Sequence, residues 1–331
     1  MFKSQFYNLA QVGMQLEPSN SRRNSYQPHF VDKGDNFILI YKNCQVFDKI
    51  IVKSFEIKFK RDKMSIQIEN KQTTITQIKN KKNKEKITMI TAYDALFAKI
   101  FDGEVDIILV GDSLHMSFFG ESDTLSASLD SMIYHTKAVC NGAKKSLVVC
   151  DLPFGSVSNP ACALESAIRV YKETKAQAVK IEGGIEVSDT IRLLVQNGIA
   201  VMGHIGLKPQ FVRSEGGYKI KGKDKEENER LLQDALALQK AGVFCMVLEG
   251  VKGEVARKIA KSIEIPIIGI GSGVEVDGQV LVWSDAFGFF EDFKPKFVRQ
   301  YLEGAKMVKT SLRKYVQDVK NGDFPSNNES Y

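Results

Sequence analysis

Five apolar runs in the chain each end in an acid or a histidine. They are Ile107–Ser113 (IILVGDS), Ser146–Pro153 (SLVVCDLP), Ala178–Gly184 (AVKIEGG), Ile199–Gly206 (IAVMGHIG) and Cys245–Gly250 (CMVLEG). The polar residues that close them are Asp112, Asp151, Glu182, His204 and Glu249. Short β-branched runs without alternation read as strands buried on both faces, the pattern of a parallel sheet. Three more strands are predicted, at Ile87–Asp94, Ile265–Gly273 and Val280–Gly288. Between the strands lie segments of helical period: Ala95–Gly103, Leu129–Asn141, Pro160–Lys175, Glu186–Asn197, Glu227–Ala241 and Glu254–Ser262, with Pro295–Lys320 closing the chain. Eight strands alternating with helices predict an α/β fold, a (β/α)8 TIM barrel over 87–331 with an N-terminal extension.

The start of the chain follows a different pattern. Residues 1–63 have no counterpart in the strand–helix repeat, and 64–86 lead into it. Ser19–Asn36 is polar and reads as loose. The stretch from Asn36 to Lys60 alternates partially and could supply two strands. Lys79–Lys86 (KNKKNKEK) reads as a solvated helix end or linker. Two possibilities stand side by side: a native extension, or a chain whose own start is Met64.

Charge sharpens this division. The 331 residues carry 46 Lys and Arg against 40 Asp and Glu, a net charge of +6. Residues 1–86 hold 17 of those bases and 8 of the acids, so this part carries +9 and the remainder −3. The body therefore has no charge reason to bind nucleic acid or a membrane surface. No apolar run approaches the ~20 residues that span a bilayer. The first residues lack the apolar core and cleavage site of a secretory signal. The five scattered cysteines show neither CxxC pairing nor zinc spacing, which suits buried free thiols in a reducing cytoplasm.

Side chains at the C-terminal ends of barrel strands point into one mouth. Several carboxylates converging there repel one another unless a cation sits among them, so the pattern predicts a hard divalent metal and an oxygen-rich substrate. A single acid after a strand is often only a helix N-cap, which is the favoured reading for Asp94 and Asp285. Glu is a poor N-cap, so capping does not account for Glu182 and Glu249. Lys180 and Glu182 are two apart on one strand and share a face, so both should enter the barrel. His204 is open between a core role and a place at the mouth. His115 and His135 read as packing or surface residues. The loop Ser214–Lys225 (SEGGYKIKGKDK) suits a mobile, cationic lid, or an ordinary surface loop.

The ordered segments ITMITAYD, ILVGDSLHM, DTL at Asp123–Leu125, YHTKAV, DLPFGS, VKIEGG, GHIGLKPQ, GGYKIKG, DALALQKAG, IPIIGIGSG and DGQVLVWSDAFG resemble the ketopantoate (3-methyl-2-oxobutanoate) hydroxymethyltransferase family, from about Lys86 to the C-terminus. The resemblance implies a TIM-barrel transferase of pantothenate biosynthesis. It moves a hydroxymethyl group from 5,10-methylenetetrahydrofolate to 3-methyl-2-oxobutanoate through a Mg²⁺-stabilised enolate. It implies Asp112, Asp151 and Glu182 at the metal, and Asp112, Ser113, Asp151 and Lys180 at the ketoacid. Glu249 is implied as the proton acceptor. It further implies a cytoplasmic homo-oligomer, commonly a decamer. The departures are small: His115 in GDSLHM, Ser272 in GIGSG and DLPFGS after Asp151. A phosphoenolpyruvate mutase or isocitrate lyase-like barrel would need its own cysteine-bearing loop, which the sequence lacks. A catalytically silent barrel would be expected to have lost one of these acids.

Overall fold

The computed structural model of the chain describes residues 72–291 and 294–331, and the backbone of 28–33 and 36–41. By internal contacts the chain divides into Met1–Gln67 and Ile68–Tyr331. In the first unit β1 (Pro28–Lys33) pairs antiparallel with β2 (Asn36–Tyr41), Pro28 facing Tyr41 and Lys33 facing Asn36. The first expected strand of the extension thus forms. Its partner comes from the preceding polar stretch, which the sequence suggested was loose. The rest of the expected strand region, 42–60, lies outside the described residues.

The second unit is a closed parallel barrel of eight strands. They are β3 (Ile87–Thr91), β4 (Ile107–Val110), β5 (Leu147–Asp151), β6 (Ala178–Glu182), β7 (Val201–Gly206), β8 (Cys245–Glu249), β9 (Ile267–Ile270) and β10 (Gly278–Leu281). Neighbours in sequence are neighbours in the ring, and β10 closes on β3 with Gly278 beside Ile87. Strand parity sorts the apolar runs into two cores. Met89, Leu109, Val149, Ala178, Met202, Val247, Ile268 and Val280 fill the barrel. Ile108, Val148, Val179, Val201, Met246 and Ile267 face the helices. Continuing the inward parity leads from Val149 to Asp151, from Ala178 to Lys180 and Glu182, from Met202 to His204, and from Val247 to Glu249.

The helices start where the sequence offers caps. Asp94 accepts from the backbone of Leu96 and Phe97 and opens α2 (Ala95–Phe101). α3 is the short turn Leu114–Ser117. Ser128 and Ser131 form a capping box for α4 (Leu129–Gly142). Asn159 caps α5 (Pro160–Glu173), whose proline sits in the first turn. α6 spans Ser188–Gln196, and Asp224 caps α7 (Lys225–Ala241). α8 (Gly253–Ser262), α9 (Trp283–Ala286) and α10 (Gly304–Asn321) complete the unit.

Three expectations need correction. The final strand lies at Gly278–Leu281, so only the first two residues of the expected Val280–Gly288 are strand, and Asp285 sits in the short helix α9 and does not end a strand. The closing helix begins at Gly304, nine residues after Pro295. The lysine-rich lead-in is not merely a solvated linker. α1 (Ile75–Asn80), capped by Thr74, fully buries Ile78 against the barrel interior. Beyond it Lys82 is buried, with Nζ 2.7 Å from both Asp277 Oδ2 and the carbonyl of Ala260. The ion pair and the carbonyl offset part of the cost of burying that cation. No helix among the described residues is long and apolar enough to cross a membrane.

Candidate active site

Asp112 follows β4, and Asp151, Glu182, His204 and Glu249 close or nearly close β5 to β8. With Thr91, Ser113 and Lys180 they line one cavity of about 60 Å³ at the barrel mouth. Size alone does not select it. A larger cavity, about 310 Å³, lies at the other end of the barrel, where Asp277 is already held by Lys82. Only at the mouth do several strands deliver acids to one point.

Asp112, Asp151, Lys180, Glu182 and His204 are all buried. Lys180 is the hub. Its Nζ lies 2.8 Å from Asp151 Oδ2, 3.2 Å from His204 Nδ1 and 3.7 Å from Glu182 Oε1. The shared inward face expected for Lys180 and Glu182 is therefore present. His204 stands between two glutamates, Nδ1 3.5 Å from Glu182 Oε1 and Nε2 3.4 Å from Glu249 Oε2. This settles the open reading of His204: it belongs to the mouth. The backbone N–H of Asp112 reaches Asp151 Oδ2 at 3.4 Å. Ser113 Oγ is 2.8 Å from the hydroxyl of the buried Tyr93.

Electrostatics at this site are crowded. Burial, then Asp151, then Glu182 drive the Asp112 carboxyl well above its ordinary range. Burial raises Asp151 as well, with Lys180 opposing. Burial also presses Glu182 upward, but His204 and Lys180 outweigh it and hold the group below its ordinary value. Burial and Lys180 press His204 down, yet Glu182 and Glu249 lift it to about 9. Lys180 Nζ and His204 Nδ1 both face Glu182 Oε1, at 3.7 and 3.5 Å. The acids outnumber Lys180, and the imidazole is drawn in as a second positive charge.

One participant was not anticipated. Gln210, in the 3-10 turn Pro209–Phe211 after β7, donates from Nε2 to Asp112 Oδ2 at 2.9 Å and to the Leu152 carbonyl at 3.0 Å. Its backbone N–H reaches Glu182 Oε2 at 3.1 Å. The sequence signal for it was the stretch GHIGLKPQ. His115 and His135 do pack. His115 bonds Ser126 and Ser131, and His135 Nδ1 bonds the Tyr93 carbonyl. The lysines of the expected lid turn onto their own loop. Lys221 Nζ pairs with Glu215 at 2.6 Å, and Lys219 Nζ reaches the Glu215 carbonyl at 2.5 Å.

With this geometry in hand, the chain was compared with known proteins. The sequence model of the ketopantoate hydroxymethyltransferase family matches residues 72–327. The chain belongs to the ketopantoate hydroxymethyltransferase family. It is 66% identical over 261 residues to 3-methyl-2-oxobutanoate hydroxymethyltransferase of Wolinella succinogenes, covering 79% of this chain and 100% of that one. The same enzyme of Aliarcobacter butzleri is 61% identical over 257 residues, covering 78% and 96%. The family is one of transferases, and the match begins after the first unit ends. Among solved structures, phosphonopyruvate hydrolase in complex with oxalate and Mg²⁺ superposes with a TM-score of 0.51 at 10% identity, covering 77% of this chain and 92% of that one. A 2,3-dimethylmalate lyase of the phosphoenolpyruvate mutase/isocitrate lyase superfamily gives 0.51 at 15%, covering 78% and 89%. At such identities these two share the barrel fold and nothing finer is inferred from them.

Proposed function

We propose that the chain transfers a hydroxymethyl group from 5,10-methylenetetrahydrofolate to 3-methyl-2-oxobutanoate, giving 2-dehydropantoate for pantothenate biosynthesis in the cytoplasm. The observation that carries the reading is the convergence of Asp112, Asp151 and Glu182 on Lys180 at the mouth, with Glu249 beyond them. β8 is four places from β4 in a ring of eight, so Glu249 stands opposite Asp112.

The donor set fits a hard divalent cation. Asp112, Asp151, Glu182 and Glu249 outnumber the cations Lys180 and His204 at this point, an excess of acid that a divalent ion would balance. Two like charges 4 Å apart cost about 4 kcal/mol at an effective dielectric of 20, so such a cluster favours a cation strongly. Asp151 Oδ1 and Glu182 Oε1 are buried without a hydrogen-bond partner among the described residues. Oxygen ligands of this kind suit Mg²⁺. No group of three or more acid, histidine or cysteine side chains among the described residues is already gathered as a metal centre, because Lys180, His204 and Gln210 hold the acids instead. Asp112 and Asp151 are assigned as direct ligands and Glu182 as the third carboxylate. Bound there, Mg²⁺ supplies Lewis acidity at the keto oxygen, which stabilises an enolate.

The chain's own side chains do the rest. Lys180 holds the ketoacid carboxylate, and Ser113, braced by Tyr93, supplies a second contact. Glu249 accepts the C3 proton. His204, 3.4 Å away, orients its carboxylate. Hydrolysis of the folate methylene takes up one water, breaks both C–N bonds and releases tetrahydrofolate and a formaldehyde unit; C3 bonds that carbon, and the carbonyl oxygen takes a proton to become the hydroxyl. The decisive test incubates purified protein with both substrates and Mg²⁺ and follows 2-dehydropantoate by mass spectrometry. Product that requires methylenetetrahydrofolate is expected, and its absence overturns the reading.

Two further parts of the proposal concern organisation. Catalysis is assigned to the unit Ile68–Tyr331. A chain beginning at Met64 is therefore expected to keep the full-length turnover and melting temperature, and a large loss of either would show that the first unit supports the barrel. Self-association, to a decamer by family resemblance, is supported by α10. Val308, Leu312, Tyr315, Val316 and Val319 form one stripe, each between 39% and 56% exposed on a single chain.

A further inference from the structure

We propose that Gln210 is a positioning residue that sets the Asp112 carboxylate and ties closure of the loop after β7 to the geometry of the cation site. The inference rests on the metal reading proposed above. Gln210 touches the ends of three strands at once. Its side-chain amide spans Asp112, after β4, and the Leu152 carbonyl, after β5, while its backbone N–H holds Glu182 at the end of β6. Both side-chain partners are acceptors, so the amide orientation is fixed: Nε2 faces them. Among the described residues no other side chain donates to the Asp112 carboxylate. A neutral amide can orient an acid without neutralising it, as a lysine would. Asp112 is therefore held in place by a partner that brings no positive charge to compete with a cation.

The same residue begins a strap across the mouth. Three residues on, Arg213 pairs with Asp123 at 3.0 Å, and the Tyr218 hydroxyl reaches Met116 Sδ at 3.8 Å. Asp123 and Met116 lie in the segment after β4. Beyond them Lys221 donates its N–H to the Gly250 carbonyl at 2.8 Å, and Lys252 donates to Lys221 at 3.1 Å, beside Glu249. The strap thus runs from the Asp112 side to the Glu249 side. Gln210 is the point where this strap engages the acids themselves, so opening the strap and releasing Asp112 are one event.

The test compares the full-length protein with Gln210→Leu and Gln210→Met. Both replacements keep the bulk and the backbone bond to Glu182 but remove the side-chain donors. Two readouts are taken without substrate: Mg²⁺ affinity by titration calorimetry, and deuterium uptake of residues 209–225 with and without Mg²⁺. Supporting residues of metal ligands typically contribute about 10–100-fold in affinity. The variants are expected to bind Mg²⁺ about 10–100-fold more weakly at an unchanged melting temperature, and to lose the slowing of exchange that Mg²⁺ gives the parent. Arg213→Ala, which opens only the far latch, is expected to speed exchange in the strap while leaving Mg²⁺ affinity in place. Mg²⁺ binding by the parent, matched by both Gln210 variants, overturns this inference alone. Failure of the parent to bind Mg²⁺ overturns the metal reading and this inference with it.

Discussion

Asp151→Asn is expected to leave the barrel folded and to lower turnover by about a thousandfold, with a parallel loss of Mg²⁺ affinity. Asp151 is buried and its Oδ2 makes the shortest contact to Lys180, at 2.8 Å. Breaking a buried ion pair typically costs about 3–5 kcal/mol because it strands the remaining charge. Here the lysine is not stranded: Glu182 stands 3.7 Å away and Asp112 acts on it as well. Removing one acid also relieves Asp112, whose proton affinity is raised by Asp151. The stability cost should therefore be small. The functional cost should not be, because a Lewis acid contributes several kcal/mol to stabilising oxyanion charge, and each 1.36 kcal/mol is tenfold in rate. The asparagine keeps one oxygen but loses the charge that the proposed ligand role requires. Calorimetric Mg²⁺ titration and turnover are measured on the same preparation. Full activity with unchanged Mg²⁺ affinity would remove Asp151 from the metal site.

Much of this site could be read from the sequence because a strand imposes a strict period. Once the apolar runs are taken as parallel strands, Asp151, Glu182, His204 and Glu249 fall at equivalent ends. Parity carries Lys180 inward beside Glu182. What the period does not govern was harder to read. Gln210 sits in a 3-10 turn, where no repeat fixes its direction, and its importance comes from three partners that are 28 to 98 residues away. The last strand was misplaced because VLVWSDAFG is apolar enough for either a strand or a buried helix. Packing decided it: Trp283 stacks on Phe97 with ring centroids 4.0 Å apart, and α9 forms there. Lys82 was read as solvated because a lysine run resembles a linker. Its partner Asp277 is 195 residues away. Local composition cannot report a pairing at that distance.

The neighbourhood of Glu249 is built differently from that of Asp112, Asp151 and Glu182, and this underlies the second large expected effect. Gly206 ends β7 at a φ of +98°, and a Cβ there would come within 2.3 Å of the Glu249 carbonyl. Only glycine allows that approach, which lets Leu207 N–H donate to the Glu249 carbonyl at 2.8 Å and fixes the backbone of the acid. Its side chain is 20% exposed, whereas those of Asp151, Lys180 and Glu182 are 4% or less. It is thus firmly based, reachable from the mouth, and across the ring from Asp112. Its one charged neighbour is His204, at 3.4 Å. Glu249→Gln keeps the shape and can still accept from the imidazole, but it cannot take a proton from carbon. The variant is expected to bind ketoacid and Mg²⁺ as before while losing about 10²–10⁴-fold in proton abstraction, the usual contribution of a positioned base. Exchange of the C3 hydrogen in D₂O, followed by NMR with Mg²⁺ present and folate omitted, isolates that step from hydroxymethyl transfer. If the glutamine variant exchanges as fast as the parent, Glu249 is not the base. His204, 3.4 Å away, is then the candidate, acting in its neutral form.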